Sequence, residues 1–349
     1  MSGQPPQQDP MEEDREEHSE GEFLDDADAE EVVQVDDDHP MEEDEELLLE
    51  NDSAAHFDQH SDSLFCIAQH PIHPEIIITG SGDDTAYIFD SSQAAAEKPL
   101  LPKSYETTPQ PSKERESLPV IAHLDGHKDS VNAVCFTAPR GEYAITAGLD
   151  GKLRAWKDTS ENQAGKSWQY LAESQEVEEI NWIATCPSSK NDDNEQTQNV
   201  IAIGASDGSV WVYRVDAREE APEPLTIVST FFQHTAACTA GAWTPDGQLL
   251  ATVSEEGSFY VYDVFGSAAA AGFTSSAGTQ SVVALTVQDQ RFAVEGGLFS
   301  VAISPSGTFA VVGGAEGHIK VVGLPRVSDT SSAKSKSQGK GGAAGSSGG

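Results

Sequence analysis

Two adjacent carboxylates, Asp83 and Asp84, stand in the stretch TGSGDDTAYIFD at residues 79–90, between a glycine-rich turn and an alternating run. Paired acids hold hard metal ions or share general acid and base work. The same pair can instead brace a hairpin by accepting bonds from its own backbone. A second candidate is HPIHP, which carries His70 and His73. Without cysteine or a third ligand, that spacing reads as ordinary loop rather than a metal site. The stretch GKGGAAGSSGG at residues 339–349 lacks the order of a phosphate loop and has no helix after it. No cofactor, no metal and no enzymatic activity are expected.

Recurrence decides between chemistry and architecture. Aligning the turn acid with the residue six positions on gives GDDTAYIFD, LDGKLRAWK, SDGSVWVYR, EEGSFYVYD and AEGHIKVVG. The anchors are Asp83, Asp150, Asp207, Glu256 and Glu316, paired with Phe89, Trp156, Tyr213, Tyr262 and Val322. A short β-branched or small apolar run precedes each acid, and alternation of period two follows it. Further upstream lies another strand with apolar residues at i, i+3 and i+5, as in Val131, Val134 and Phe136, or Val177, Ile180 and Trp182. Turns such as TPDG and SPSG lead from it into the next strand. Strand, turn, strand, acidic turn, strand is one sheet built five times, so the fold class is all-β.

Composition bounds the partner. The 349 residues carry a formal net charge of −39, which disfavours direct nucleic-acid binding, since phosphate neutralisation needs clustered Lys and Arg. A basic protein is the expected partner. Residues 1–50 hold 22 acids against one base, Arg15, and such a segment cannot bury enough apolar surface to order itself. A disordered acidic tail is therefore predicted over 1–55, the repeats over 56–325, and a disordered Ser/Gly/Lys-rich segment over 326–349. Cys66, Cys135, Cys186 and Cys238 form no Cys-x-x-Cys pair and read as buried free thiols of a reducing compartment. No signal peptide or apolar stretch of membrane-spanning length is visible, so no membrane is expected and the cytoplasm, with the nucleus as a further site, is the expected location.

These units resemble the WD repeat, a family of β-propellers. The Gly-His signature is clean at Gly126 and His127, partial at His60 and His234, and missing from the third and fifth units. Phe89-Asp90, Trp156-Lys157, Tyr213-Arg214 and Tyr262-Asp263 stand where the family has Trp-Asp. The resemblance implies that the turn acid pairs with the preceding histidine, Asp83 with His60 and Asp150 with His127. His60, Asp83, His127, Asp150, Trp156, Asp207 and His234 are then blade-bracing residues, and Glu256 and Glu316 depart from the Asp pattern. Anchors lie 49 to 67 residues apart, longer than the roughly 40–45 of a typical unit, with the excess in polar or small-residue insertions. Propellers of this kind close with seven or eight blades, so five units imply an N-terminal portion of a larger ring; a five-bladed ring, a truncated gene model and closure by a partner are the alternatives.

SDSLFCIAQHP, GHKDSVNAVCF, EVEEINW and GASDGSVWVYRV, together with the acidic tail, are similar to the group of angio-associated migratory cell protein and its fungal counterpart, the chaperone of an L10-type large-subunit ribosomal protein. That resemblance implies a monomeric, non-enzymatic chaperone that delivers a basic ribosomal protein during 60S assembly. A WD scaffold that binds histones, or selects substrates for a ubiquitin ligase, is the alternative. Side chains flanking the first apolar residue of each inner strand, with the residue before the turn acid, are expected on the partner face. Among them Glu176, Glu178 and Glu255 suit Arg or Lys, and Phe65 and Phe299 suit stacking or apolar anchoring. Read as architecture instead, the glutamates are a solvated rim and the phenylalanines core.

Overall fold

The computed structural model describes residues 55–92, 117–161, 165–188, 195–218, 221, 223–272 and 281–327. The acidic tail, the Ser/Gly/Lys-rich segment and most of the long insertions lie outside these residues.

Five antiparallel meanders follow one another along the chain. The first holds β1 (Leu64–Gln69), β2 (Ile76–Ser81), β3 (Ala86–Asp90) and β4 (Val120–Leu124). The second holds β5 (Val131–Phe136), β6 (Tyr143–Gly148), β7 (Leu153–Asp158) and β8 (Trp168–Ser174), and the third β9 (Ile180–Thr185), β10 (Val200–Ala205), β11 (Val210–Val215) and β12 (Leu225–Phe231). In the fourth, β13 (Cys238–Trp243), β14 (Leu249–Ser254) and β15 (Phe259–Asp263) reach β16 (Ser281–Leu285) past the one-turn helix α1 (Ser267–Ala270). The fifth has three described strands, β17 (Leu298–Ile303), β18 (Phe309–Gly314) and β19 (Ile319–Gly323).

Alternation of period two gives each sheet two apolar faces. On the first sheet Ile76, Ile78, Ala86 and Ile88 form a leading face, buried against Val131, Val134, Phe136, Ala144 and Trp156, which form the trailing face of the second. The same positions recur. Tyr143, Ile145, Leu153 and Ala155 lead into the third sheet, Val200, Ala202, Val210 and Val212 into the fourth, and Leu249, Ala251, Phe259 and Val261 into the fifth. Each such aliphatic side chain contributes about 1.5–3 kcal/mol when fully withdrawn from water, and this burial holds the row of sheets together.

The inner strands β1, β5, β9, β13 and β17 pack successively against one another. Each carries a bulge after its first residue, which singles out Phe65, Asn132, Asn181, Thr239 and Phe299. In the middle sheets this residue reaches the next inner strand. Asn132 Nδ2 donates to the Ile180 carbonyl at 2.7 Å, Asn181 Nδ2 to Cys238 at 3.1 Å, and Thr239 Oγ1 to Leu298 at 2.6 Å. In the first sheet the neighbouring Cys66 Sγ takes that place, 3.5 Å from the Val131 carbonyl.

This register corrects the sequence alignment of the third unit. The counterpart of Val131 is Ile180, not Val177, because the bulge falls at Asn181 and β9 begins at Ile180. Glu176 and Glu178 therefore precede the strand, and Glu179 holds the place that Ser130 holds in the second sheet. All four cysteines are free, and burial pushes the thiols of Cys66, Cys135 and Cys238 up to about 12, which keeps them protonated and unreactive.

Candidate partner-binding face

The acidic turns between second and third strands lie along one rim of the sheets. In the first of them the adjacent carboxylates of Asp83 and Asp84 have separate tasks. Asp83 accepts from the Ser61 and Thr85 backbone N–H groups at 2.9 and 3.1 Å and from the Thr85 hydroxyl at 2.6 Å. Asp84 sits at φ 63°, where the other four turns carry a glycine: Gly151, Gly208, Gly257 and Gly317. At Gly151 even the space is closed, since a Cβ there would lie 2.1 Å from the Val177 carbonyl oxygen.

Histidines complete three of the turns. His127 Nδ1 lies 3.0 Å from Asp150, its Nε2 lies 2.8 Å from Thr146 Oγ1, and Trp156 Nε1 donates to the same threonine at 3.4 Å. A carboxylate can only accept, so Nδ1 carries the proton and Nε2 accepts from the threonine. His60 repeats this with Asp83 at 3.0 Å and Thr79 at 3.0 Å. Burial alone would raise Asp83, but the bonds from Thr85, Ser61 and His60 outweigh it and hold the carboxyl at about 2. In the fourth sheet His234 Nδ1 donates to Ser258 Oγ at 2.6 Å, and that hydroxyl donates to Glu256 at 2.7 Å, while Nε2 lies 2.8 Å from Thr252. The third sheet has no histidine, and Asp207 is closed by Ser209, which also accepts from Trp211 Nε1 at 2.9 Å. In the fifth, Glu316 is exposed at φ 59° within a short 3-10 turn.

The rim carries acids that the braces do not consume. Glu176 and Glu178 line a hollow of about 660 Å³ with Gln175, Val177, Ser206 and Asp207. Glu255 stands on the fourth sheet's turn, its backbone N–H bonded to the Ala237 carbonyl as Ser206 N–H is to Glu179. The exposed carboxylates of Glu178, Glu179 and Glu255 have no hydrogen-bond or ion-pair partner among the described residues, so their oxygens are open to an incoming cation. Lys152 and Arg154 of the second sheet both pair with Glu173. Phe65 and Phe299 are exposed at the bulges of the first and fifth sheets, outside the core.

Other sequence candidates resolve into architecture. His70 is buried, and its Nδ1 accepts from the backbone N–H groups of Ile72 and His73 at 3.2 and 3.0 Å. Among the described residues no three His, Cys, Asp or Glu side chains come together as a metal site, and no helix is long and apolar enough to cross a membrane. GASDG at residues 204–208 has the Gly-x-Ser-x-Gly spacing of a hydrolase elbow. It forms the hairpin turn between β10 and β11, whereas an elbow joins a strand to a helix.

Sheets of this topology, repeated along the chain with braced acidic turns, define a WD-repeat β-propeller chain. The family described as WD domain, G-beta repeat matches residues 51–90, 119–157, 225–263 and 290–322. Strands β9 to β11 of the third sheet, whose acidic turn has no histidine, fall outside the matched residues. Within this class the chain is similar to ribosome assembly protein SQT1 of Saccharomyces cerevisiae, 32% identical over 209 residues that make up 59% of this chain and 40% of that protein. Human angio-associated migratory cell protein is 24% identical over 215 residues, 61% of this chain and 38% of its own. The crystal structure of Chaetomium thermophilum Sqt1 is 49% identical with TM-score 0.67, covering 80% of this chain and 62% of that one. The same protein bound to the N-terminus of the ribosomal protein L10 matches at 49% identity and TM-score 0.67, covering 80% and 64%. The chain thus spans about 40% of the length of the curated relatives it matches.

Proposed function

We propose that this protein is a non-enzymatic chaperone that binds a basic ribosomal protein of the L10 type and delivers it during 60S subunit assembly, acting in the cytoplasm with a nuclear site as well. The observation that carries the proposal is the acidic rim, with the unpaired carboxylates of Glu178, Glu179 and Glu255 beside Glu176, on a chain 49% identical to an Sqt1 crystallised with the L10 N-terminus. Carboxylates without partners accept charge-assisted bonds from Arg and Lys, and the net charge of −39 steers a basic segment toward them. Phe65 and Phe299 supply exposed aromatic faces for guanidinium stacking or apolar anchoring.

The test is calorimetric titration of the purified chain with a peptide of the L10 N-terminus, beside a histone tail of equal charge. Tight, salt-weakened binding of the first and weak binding of the second supports the proposal. Glu178→Lys with Glu255→Lys is expected to weaken the L10 peptide at least tenfold with the unfolding midpoint unchanged. Unaltered affinity would remove both residues from the site. Preference for the histone tail, or recovery of ubiquitin-ligase adaptors from cells, would replace the proposal with another WD scaffold.

A further inference from the structure

A cavity of about 650 Å³ lies between the second and third sheets, at the ends of the strands opposite the acidic turns, where β6 and β10 begin and β7 and β11 finish. Four of the chain's 20 bases, Arg140, Lys157, Arg214 and Arg218, line it together with four acids. Three of those acids are held by their neighbours. Asp158 accepts from the Ser160 and Gly165 backbone N–H groups at 2.9 and 2.6 Å, Asp216 accepts from the Arg218 guanidinium at 2.7 Å, and Glu142 accepts from Asn199 Nδ2 at 2.8 Å. The donors are not balanced in the same way. The exposed Lys157 ammonium has no hydrogen-bond or ion-pair partner among the described residues. Arg214 donates through Nη2 to the Gln196 carbonyl at 2.7 Å, but its Nε is buried without a partner. Asn199 Oδ1 is likewise buried with no donor.

We propose that this cavity binds an extended acidic segment of another protein, as a second site distinct from the acidic rim. A side-chain carboxylate of the segment accepts from Lys157 and Arg214, and one of its backbone N–H groups donates to Asn199 Oδ1. Arg214 and Asn199 both line the cavity, so a small rotation of each brings the orphaned atom to the guest. An acidic peptide carries both complementary groups within one residue. A phosphate offers acceptors alone, which would leave Asn199 Oδ1 unpaired beside four carboxylates, and the net charge of −39 repels a nucleic acid. The volume falls within the roughly 300–1,000 Å³ of ordinary ligand sites. The first and fourth sheets flank the pair that forms the cavity, which places it inside the row. The two ends of the sheets then select opposite charges, so a basic client and an acidic partner can be held at once.

Fluorescence anisotropy of the full chain with a short fluorescein-labelled peptide of alternating Glu and Ala reads this directly. Saturable binding that weakens as salt rises is expected. Lys157→Glu changes an exposed side chain and should weaken the peptide about tenfold, whereas Glu195→Gln removes a lining carboxylate and should tighten it, both with the unfolding midpoint unchanged. Lys128→Glu alters an exposed lysine beside the acidic turn of the second sheet, at the other ends of the strands, and should leave the affinity as it was. A full chain that binds no acidic peptide overturns the inference. So do equal losses from Lys157→Glu and Lys128→Glu, or displacement of the peptide by an equal concentration of inorganic phosphate.

Discussion

The second and fourth sheets hold a buried histidine against a strand threonine and close the brace by different routes. In the second, Asp150 meets His127 directly at 3.0 Å. In the fourth, the longer Glu256 leaves 3.8 Å to His234, and Ser258 fills the gap by accepting from the histidine and donating to the glutamate. Burial lowers the pKa of both imidazoles, with Asp150 countering the effect at His127 and Glu256 at His234, which is nonetheless lowered to about 4. The position tolerates either acid as long as a hydroxyl makes up the distance. The hydrogen-bond pattern is what the fold retains, not the residue.

Breaking the direct brace should have the largest effect. His127→Ala leaves Asp150 and Thr146 without their buried partner and is expected to cost about 3–4 kcal/mol, measured by urea unfolding. Acid comes next. Between the ordinary histidine value of 6.5 and about 4, the unfolded chain binds a proton at His234 that the folded chain excludes, so stability falls as pH falls through that window. The loss is up to about 3 kcal/mol, and His234→Gln should flatten it in stability measured from pH 7 to 4. Asp83 adds a further loss between 3.8 and about 2, since its folded value is depressed.

Removing the relay, Ser258→Ala, leaves the His234 N–H unpaired and should cost about 2 kcal/mol, whereas the same cut has no counterpart in the second sheet, where no hydroxyl intervenes. The smallest change is a gain. Asp84→Gly puts into the first turn the residue that the other four carry at positive φ and should stabilise by about 0.5–1 kcal/mol, seen as a higher unfolding midpoint.

The five sheets were legible because an acid, a glycine and a period-two run recur together, and each of these has a local cause. The register of the third inner strand was not. Val177, Ile180 and Ile183 are spaced so that either Val177 or Ile180 fits as the first buried residue, and only the bulge at Asn181 chooses between them. That slip hid Glu179 from the candidate site. Asn132 and Thr239 flank first apolar residues, the positions expected on the partner face, but both are turned to the next strand's carbonyls. The Ser258 relay was equally invisible, since it depends on how far a glutamate reaches.

The bulge side chains also give the row a direction. Asn132, Asn181 and Thr239 each donate forward and none donates back, so every inner strand but the first is tethered by the one before it. Phe299 has no polar group with which to continue the series. Where each unit touches only its neighbours, stability is a sum of unit and junction terms. Cutting one such tether, as in Asn181→Ala, should therefore speed amide exchange in β13, the strand it reaches, and leave β5 unchanged.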